Sequence, residues 1–433
     1  MNNRKKFRNS YKLYEKSKKY IPLASQTFSK SSMNFVFGAS PLFISKGKGA
    51  LTWDVDNNKF IDYVLGLLPI ILGHCDPDVN KSIKHQLKNG ISFSLSNQLE
   101  LELAKLLSKI IPCAENIRFA KNGSDVTTAA IRLARAVTGK ERIATCGYHG
   151  WHDWYIGSTT RNLGVPQNEI KLTSKFDYND ISSLEKILSK HKDEFAAVIL
   201  EPCINIEPKF NFLRDLRKIC NDKKIILIFD EIVTGFRIDL GGAQNYYNVI
   251  PDLACFGKAM GNGMPISALV GKKKYMKKIE DIFFSGTFSG ETLSLIASIT
   301  TIQKIIKKNV PKKINQTGKI LSKEINKLIT NLSLEDYIHI GGPNWKPIIE
   351  IKTFKEKILY TSLLKQEFIK QGLLMSSGIN LCLSHADEKI IGDTIKKWSV
   401  ILKNIKLYTK SDNPKKFLEG DLVKPIFEVR KSK

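Results

Sequence analysis

The run Ile225-Ile226-Leu227-Ile228-Phe229, closed by Asp230-Glu231, constrains the fold most. Five consecutive large apolar residues leave no polar face, so a strand built from them must be covered on both sides. The surrounding pattern supplies the cover. Helical periodicity over 125–138 is followed by a short strand at 142–146, helix 180–190 by strand 196–200, and helix 211–221 by strand 225–230. Short buried strands alternating with amphipathic helices predict an α/β fold with a mostly parallel sheet. In such sheets ligands bind beyond the carboxyl ends of strands. Cys146-Gly147-Tyr148, Glu201-Pro202 and Asp230-Glu231 all fall at such ends. Upstream, residues 51–65 read as a β-hairpin around an Asp-Asn-Asn turn. Helices are predicted over 77–89 and from Asn97 to Ile111, the second carrying Leu99, Leu103, Leu106 and Leu107 on one face and stopping before Pro112. A long lysine-studded helical segment spans 293–332, and Ile348-Ile349-Glu350-Ile351 reads as a strand. There is no internal repeat and no long low-complexity linker.

With 433 residues and 42% hydrophobic content, the chain can build a large core and more than one domain. The net charge of +26 raises the question of nucleic acid. The lysines are spread along the whole length, however, with no single basic block interleaved with aromatics. That distribution describes a solvated surface with a mild bias toward anionic ligands, not a nucleic-acid binder. The seven cysteines form no CxxC pair and read as reduced thiols. Met1 to Tyr20 has no apolar stretch of the secretory type. The apolar run near Val64 to Leu72, broken by Gly66 and Pro69, is too short to span a membrane. The expectation is a soluble cytoplasmic protein without a membrane or nucleic-acid partner.

After Pro251-Asp252-Leu253 comes Phe256-Gly257-Lys258, a single lysine among small residues. A carboxylate at a strand end and a lysine in a glycine-rich loop suit pyridoxal phosphate. The amine can form a Schiff base with the cofactor aldehyde, and the carboxylate can keep the pyridine nitrogen protonated. The same two segments also fit a buried strand with a solvated acidic end and a surface lysine. Lys121-Asn122-Gly123-Ser124-Asp125 precedes a helix; Gly123 permits close approach, Ser124 offers a hydroxyl, and the helix opens with free N–H groups. Together these make an anion site suited to phosphate, though a plain serine N-cap has the same sequence. Neither a Walker loop nor a dinucleotide fingerprint is present. Gly147-Tyr148-His149-Gly150-Trp151-His152-Asp153 offers a tyrosine able to stack on a flat ring. The HxxH spacing of His149 and His152 lacks a supporting Cys or Glu cluster, so hydrogen-bonded histidines are expected there and no metal. Ser285-Gly286-Thr287-Phe288-Ser289-Gly290 is a small-residue loop rich in hydroxyls that can add a phosphate contact or cap the next helix.

In combination these segments resemble the class III, fold type I pyridoxal-phosphate aminotransferases, in particular the glutamate-1-semialdehyde 2,1-aminomutase branch. The resemblance runs from about Ile21 to His385. Its most specific stretch is Asp230-Glu231-Ile232-Val233-Thr234-Gly235-Phe236-Arg237, continuing through Gly241-Gly242-Ala243-Gln244 to Lys258-Ala259-Met260-Gly261-Asn262-Gly263-Met264-Pro265. Trp53-Asp54-Val55-Asp56, Leu72-Gly73-His74, Ala130-Ile131-Arg132-Leu133-Ala134-Arg135 and Gly286-Thr287-Phe288-Ser289-Gly290 match as well. The resemblance implies a large pyridoxal-phosphate domain over 75–324 and a small α+β domain formed by 1–74 with 325–433. It implies that Lys258 holds the cofactor and shuttles the proton, and that Asp230 pairs with the ring nitrogen. Ile232 and Tyr148 then cover the two ring faces, and Gly123 and Ser124 bind the phosphate. Thr287 reaches the phosphate of the partner subunit in a homodimer with interface active sites. Glu201 lies on the substrate side of the ring.

The chain departs from the aminomutase pattern at the substrate end. Where that branch carries Pro-Val-Arg, with the arginine on the substrate carboxylate, this chain reads Thr27-Phe28-Ser29-Lys30, and lysine is no bidentate equivalent. Gly66-Leu67-Leu68-Pro69 lacks the tryptophan before Gly-Pro. The gating segment is replaced by Trp151-His152-Asp153-Trp154-Tyr155 and Gly157-Ser158-Thr159-Thr160-Arg161, and the end of the site by Ser376-Ser377-Gly378-Ile379-Asn380. An aminomutase must retain its intermediate, whereas an aminotransferase must release one product and admit a second substrate. The expectation is therefore intermolecular transfer from an amino donor such as L-glutamate to an aldehyde or ketone, with the aminomutase as the alternative. The acceptor is not legible in the sequence.

Overall fold

The computed structural model describes residues 6–352 and 356–424. The chain divides into two compact units, one spanning Pro77–Pro311 and the other gathering the described residues up to Asp76 with those from Lys312 onward.

The Pro77–Pro311 unit is built on a seven-stranded sheet. Its order is Asn116–Ala120, Ser267–Gly271, Leu253–Phe256, Ile226–Asp230, Phe195–Leu200, Arg142–Cys146 and Thr173–Lys175. Ser267–Gly271 runs antiparallel to both its neighbours; the other pairs are parallel. Every residue of Phe195–Leu200 and of Ile226–Asp230 is buried, as two-sided cover requires. The helix Gly123–Thr138 supplies part of that cover, burying Val126, Ala130, Ile131, Leu133 and Ala134 against the central strands.

The chain leaves Arg142–Cys146 for the sheet edge at Thr173–Lys175. It then returns on the other side of Arg142–Cys146 to Phe195–Leu200 and proceeds outward from there. This reversal opens a crevice between the carboxyl ends of two adjacent strands, where Gly147-Tyr148 and Glu201 emerge.

The long helical segment is two helices, Thr292–Lys308 and Val310–Asn331. Asn309 between them is left-handed (φ 47°) and accounts for the break. Pro311 sits at the start of the second helix, a position where its missing N–H costs nothing.

In the other unit, Ile44–Lys48, Leu51–Asp54 and Lys59–Asp62 form an antiparallel meander, and Leu373–Leu374 joins it in parallel. Phe7, Phe60, Val64, Ile369 and Leu374 pack together, so both chain ends build one core. Residues Leu65 to Leu68 all have positive φ. The strained turn is held at its start by Asp62 Oδ1, which accepts from the amides of Val64 and Leu65 at 2.8 and 2.9 Å. Asp62 Oδ2 in turn binds His74 Nε2 at 2.9 Å.

Candidate active site

The carboxylate of Asp230, 3% exposed, ends the central strand. Its Oδ1 accepts from the Ile232 amide at 3.1 Å, and its Oδ2 lies 2.8 Å from His149 Nδ1. His149 Nε2 lies 3.2 Å from the Cys146 carbonyl, so both ring nitrogens face acceptors. The histidine is buried and fixed from a third side, because Thr127 Oγ1 donates to its carbonyl at 2.9 Å. A buried carboxylate is thereby kept paired, as burial of charge demands.

Lys258 opens a short 3₁₀ turn directly after the neighbouring strand, in which Cys255 is the register partner of Asp230. Its backbone is left-handed, at φ 37°. The lysine is half-buried, and Ile232 packs beside the glycine that precedes it. A Cβ added to Gly257 would meet the Ile232 side chain at 3.0 Å, and one added to Gly123 would meet it at 3.2 Å. Ile232 therefore sits between the residue before Lys258 and the residue before Ser124.

At the start of helix Gly123–Thr138, Asp125 turns back and accepts from the amides of Lys121 and Asn122 at 3.2 and 2.8 Å. The next two amides, of Gly123 and Ser124, have no partner among the described residues. Ser124 Oγ accepts from the Trp151 amide at 3.3 Å. That approach depends on Gly150, at φ 105°, where a Cβ would stand 2.2 Å from the same hydroxyl oxygen. Loop and helix terminus thus form a small cup.

Tyr148 is 46% exposed, and Tyr155 makes an edge-to-face contact with it at a centroid distance of 5.6 Å. Burial of the rest of the ring pushes its hydroxyl pKa upward. Glu201 Oε2 accepts from the Tyr148 amide at 2.8 Å. Gly147, at φ 109°, makes room for it, since a Cβ would meet Oε2 at 2.7 Å. The next carboxylate after Asp230 faces elsewhere. Glu231 is fully buried and accepts from Thr234 Oγ1 and from the amides of Ala243 and Gln244 at 2.8 and 3.0 Å.

Asp230, Ile232, Lys258, Gly123, Ser124, Tyr148 and Glu201 thus belong to one constellation. Thr287 lies on an exposed loop lining a cavity of about 420 Å³ with Lys121, Asp125, Thr128, Arg132 and His152. Lys30 is exposed on the short turn Phe28–Lys30 in the other unit. Among the described residues no cluster suits a metal; His152 Nδ1 instead pairs with Thr128 Oγ1 at 2.8 Å. Sequence reasoning missed His149 as the partner of Asp230, 81 positions away. The HxxH spacing points to metals, and only the fold brings the two together.

These residues fit pyridoxal phosphate. The cup offers two unsatisfied amides for a phosphate, Ile232 and Tyr148 offer ring faces, and Asp230 offers a buried, braced carboxylate.

Comparison with known proteins points the same way. The sequence profile of the family described as aminotransferase class-III matches residues 36–339. The chain is 36% identical over 398 residues to 3-aminobutyryl-CoA aminotransferase of Cloacimonas acidaminovorans, covering 89% of this chain and 94% of that one. It is 41% identical over 318 residues to glutamate-1-semialdehyde 2,1-aminomutase of Francisella tularensis, covering 69% and 73%. The fold matches that of the FumI protein of Sphingopyxis sp. MTA144, solved in its PLP internal aldimine form. The TM-score is 0.87 at 24% identity, over 94% of this chain and 99% of that one. No helix among the described residues is long and apolar enough to cross a membrane. The chain belongs to the class-III aminotransferase family.

Proposed function

We propose that this class-III aminotransferase uses pyridoxal phosphate to move an amino group from a donor, L-glutamate first among candidates, to an aldehyde or ketone acceptor. One observation carries the reading: a buried strand-end carboxylate braced by a histidine, beside a lysine and an open helix N-terminus.

Pyridoxal phosphate, when bound, supplies the electron sink for charge at the substrate carbon. The protein's residues supply the rest. Lys258 Nζ would hold the cofactor covalently and, when free, would serve as the base that carries the proton. The Asp230 carboxylate keeps the ring nitrogen protonated. Ile232 and Tyr148 bracket the ring, and the Gly123 and Ser124 amides take the phosphate. In this reading the enzyme is a cytoplasmic homodimer. Thr287 contacts the phosphate of the partner subunit, and Glu201 and Lys30 lie toward the substrate. The solvent-exposed Phe283 and Phe288, flanking Thr287, are suited to burial under a second copy. None of the seven cysteines is joined in a disulfide, which suits a reducing compartment.

The identity with an aminomutase favours intramolecular transfer as a second reading. Thr27-Phe28-Ser29-Lys30 and the changed segment after Gly150 count against it. The relative that covers more of the chain is named for intermolecular transfer. The test is the absorption spectrum of the purified holoenzyme before and after addition of L-glutamate. Conversion of the lysine-bound band to the pyridoxamine form, with release of 2-oxoglutarate, supports the proposal. An unchanged band with glutamate, and 5-aminolevulinate formed from glutamate-1-semialdehyde, overturns it in favour of the aminomutase.

A further inference from the structure

The loop that carries Thr287 is tied down in an unusual way. Arg132 Nη1 donates to the Phe283 carbonyl at 2.8 Å, and Arg118 Nη2 donates to the next carbonyl, of Phe284, also at 2.8 Å. On the far side of the loop, Lys121 Nζ donates to Glu291 Oε1 at 2.7 Å. Glu291 in turn caps the helix Thr292–Lys308, accepting from the amides of Leu293 and Ser294 at 2.9 and 3.0 Å. Burial works to raise the Glu291 pKa, yet Lys121 and the cap bonds hold it below the usual carboxylate value. Ile282 and Phe284 pack against the core while Phe283 points outward, 84% exposed. The loop is therefore fastened at both ends by charged groups and leaves its middle, Ser285–Phe288, exposed.

The three fastening cations share an origin. Arg118 lies on the strand Asn116–Ala120, Lys121 directly follows it, and Arg132 lies on the helix that begins at Gly123. They flank the cup formed by Gly123 and Ser124. Charged donors on backbone carbonyls are among the stronger single hydrogen bonds, and two on consecutive carbonyls fix a peptide plane as well as a position. Neither arginine has a role in the chemistry read from the site.

The geometry points to Arg132, assisted by Arg118, as a positioning residue for cofactor held in the partner subunit: it presents a preformed Thr287 loop to the second copy's phosphate site. The inference rests on the homodimer reading given above. It separates two roles that one chain plays at once, since each copy receives a phosphate in its own cup and lends a loop to the other.

Mixed dimers decide it. Arg132→Met holoenzyme should lose cofactor about tenfold faster on dilution than the unsubstituted enzyme, and Arg132→Lys, which keeps one charged donor, should recover part of the difference. The dissociation is followed by the visible band of lysine-bound cofactor. Co-expression of Arg132→Met with Lys258→Ala subunits gives a dimer in which that band arises only from the Arg132→Met subunit. Its Thr287 contact then comes from a subunit with Arg132 intact, so slow dissociation should return. Fast dissociation in the mixed dimer overturns the inference, because Arg132 would then act within its own subunit. Unchanged dissociation in the Arg132→Met homodimer overturns it too. If Arg132→Met does not fold, Arg118→Met in the same design reads the same loop through Phe284. Light scattering on the unsubstituted holoenzyme separates the two levels: a monomer removes the dimer reading itself, whereas a dimer with fast-dissociating mixed species removes only this inference.

Discussion

His149 Nδ1 lies 2.8 Å from Asp230 Oδ2, and neither side chain has meaningful access to water. In the role proposed for Asp230, holding a proton on the cofactor's ring nitrogen, the carboxylate needs a fixed direction, and the imidazole supplies it. Replacing His149 by Phe should lower kcat by about ten- to hundredfold, the equivalent of one charge-assisted hydrogen bond. The double variant with Asp230→Asn should cost no more than Asp230→Asn alone, because the two groups act as a unit. Steady-state kinetics of the four proteins in that cycle check it. Additive losses would mean that His149 works through something other than Asp230.

The strands that surround this pair were legible because their burial is two-sided. Residues 196–200 and 225–229 are apolar runs with no alternation, and they appear in Phe195–Leu200 and Ile226–Asp230; 142–146, which carries Arg142 and Thr145, was legible from its place after a helix and appears as Arg142–Cys146. The placement of Lys258 and Asp230 at strand ends and of Gly123-Ser124 at a helix start was legible, because these are local signals. The antiparallel Ser267–Gly271 was not, since a strand's direction depends on its neighbours and leaves no mark on its own composition. The break at Asn309 was hidden by isoleucines and lysines that keep helical spacing on both sides, although Asn309-Val310-Pro311 did carry the stop and start signals. His149 was hidden for a different reason: its partner is distant in sequence, and no local spacing encodes that contact.

Lys258 occupies a left-handed backbone conformation, at φ 37°. A side chain with a Cβ pays about 1–2 kcal/mol there, and glycine does not. Lys258→Ala and Lys258→Gly should both lose all turnover. They should differ in stability, with the glycine variant more stable by about 1 kcal/mol despite its more flexible unfolded chain. Urea unfolding of the two variants measures the difference. An alanine variant of equal or greater stability would show that the turn relaxes once the lysine is gone.

Asp252 lies at the amino end of the interior strand Leu253–Phe256, opposite the end that carries Lys258. Its carboxylate accepts from Arg217 Nη1 at 2.9 Å, Lys272 Nζ at 2.8 Å and the Leu227 amide at 2.9 Å. Burial works to raise its pKa, and the two cations and the amide more than offset this, leaving it below the usual value of 3.8. A depressed carboxyl contributes stability that is present above 3.8 and lost as pH falls through the lower folded value. Asp252→Asn should cost about 2–4 kcal/mol at pH 7, since the cations remain partly buried with no counter-charge. The deficit should shrink in acid. Denaturation midpoints at pH 7 and near pH 3 test both statements, and a deficit that stays constant would count against the ion-pair account.

Glu231 titrates with the opposite sign. Complete burial pushes its carboxyl up to about 7, against the pull of Thr234 and of the Ala243 and Gln244 amides. The folded protein therefore keeps a proton that the unfolded chain has already lost. The stability this contributes is complete below 4.5, the ordinary value, and is lost as pH rises through about 7. Glu231→Gln cannot ionise, although its one carbonyl oxygen keeps only one of the two amide contacts, since Ala243 donates to Oε2 and Gln244 to Oε1. Its stability relative to the unsubstituted protein should therefore increase between pH 5 and pH 8, with about 1.4 kcal/mol for each pKa unit of difference as the upper bound on the gain. The loop from Glu231 to Gln244 also carries Ile232, which packs beside Gly123 and Gly257. Loosening of that loop by a buried charge should thus appear as weaker cofactor retention in the unsubstituted enzyme above pH 7 and not in Glu231→Gln. Parallel stability curves for the two proteins across this range would mean that Glu231 stays in one charge state, and that the amides of Ala243 and Gln244 outweigh the cost of its burial.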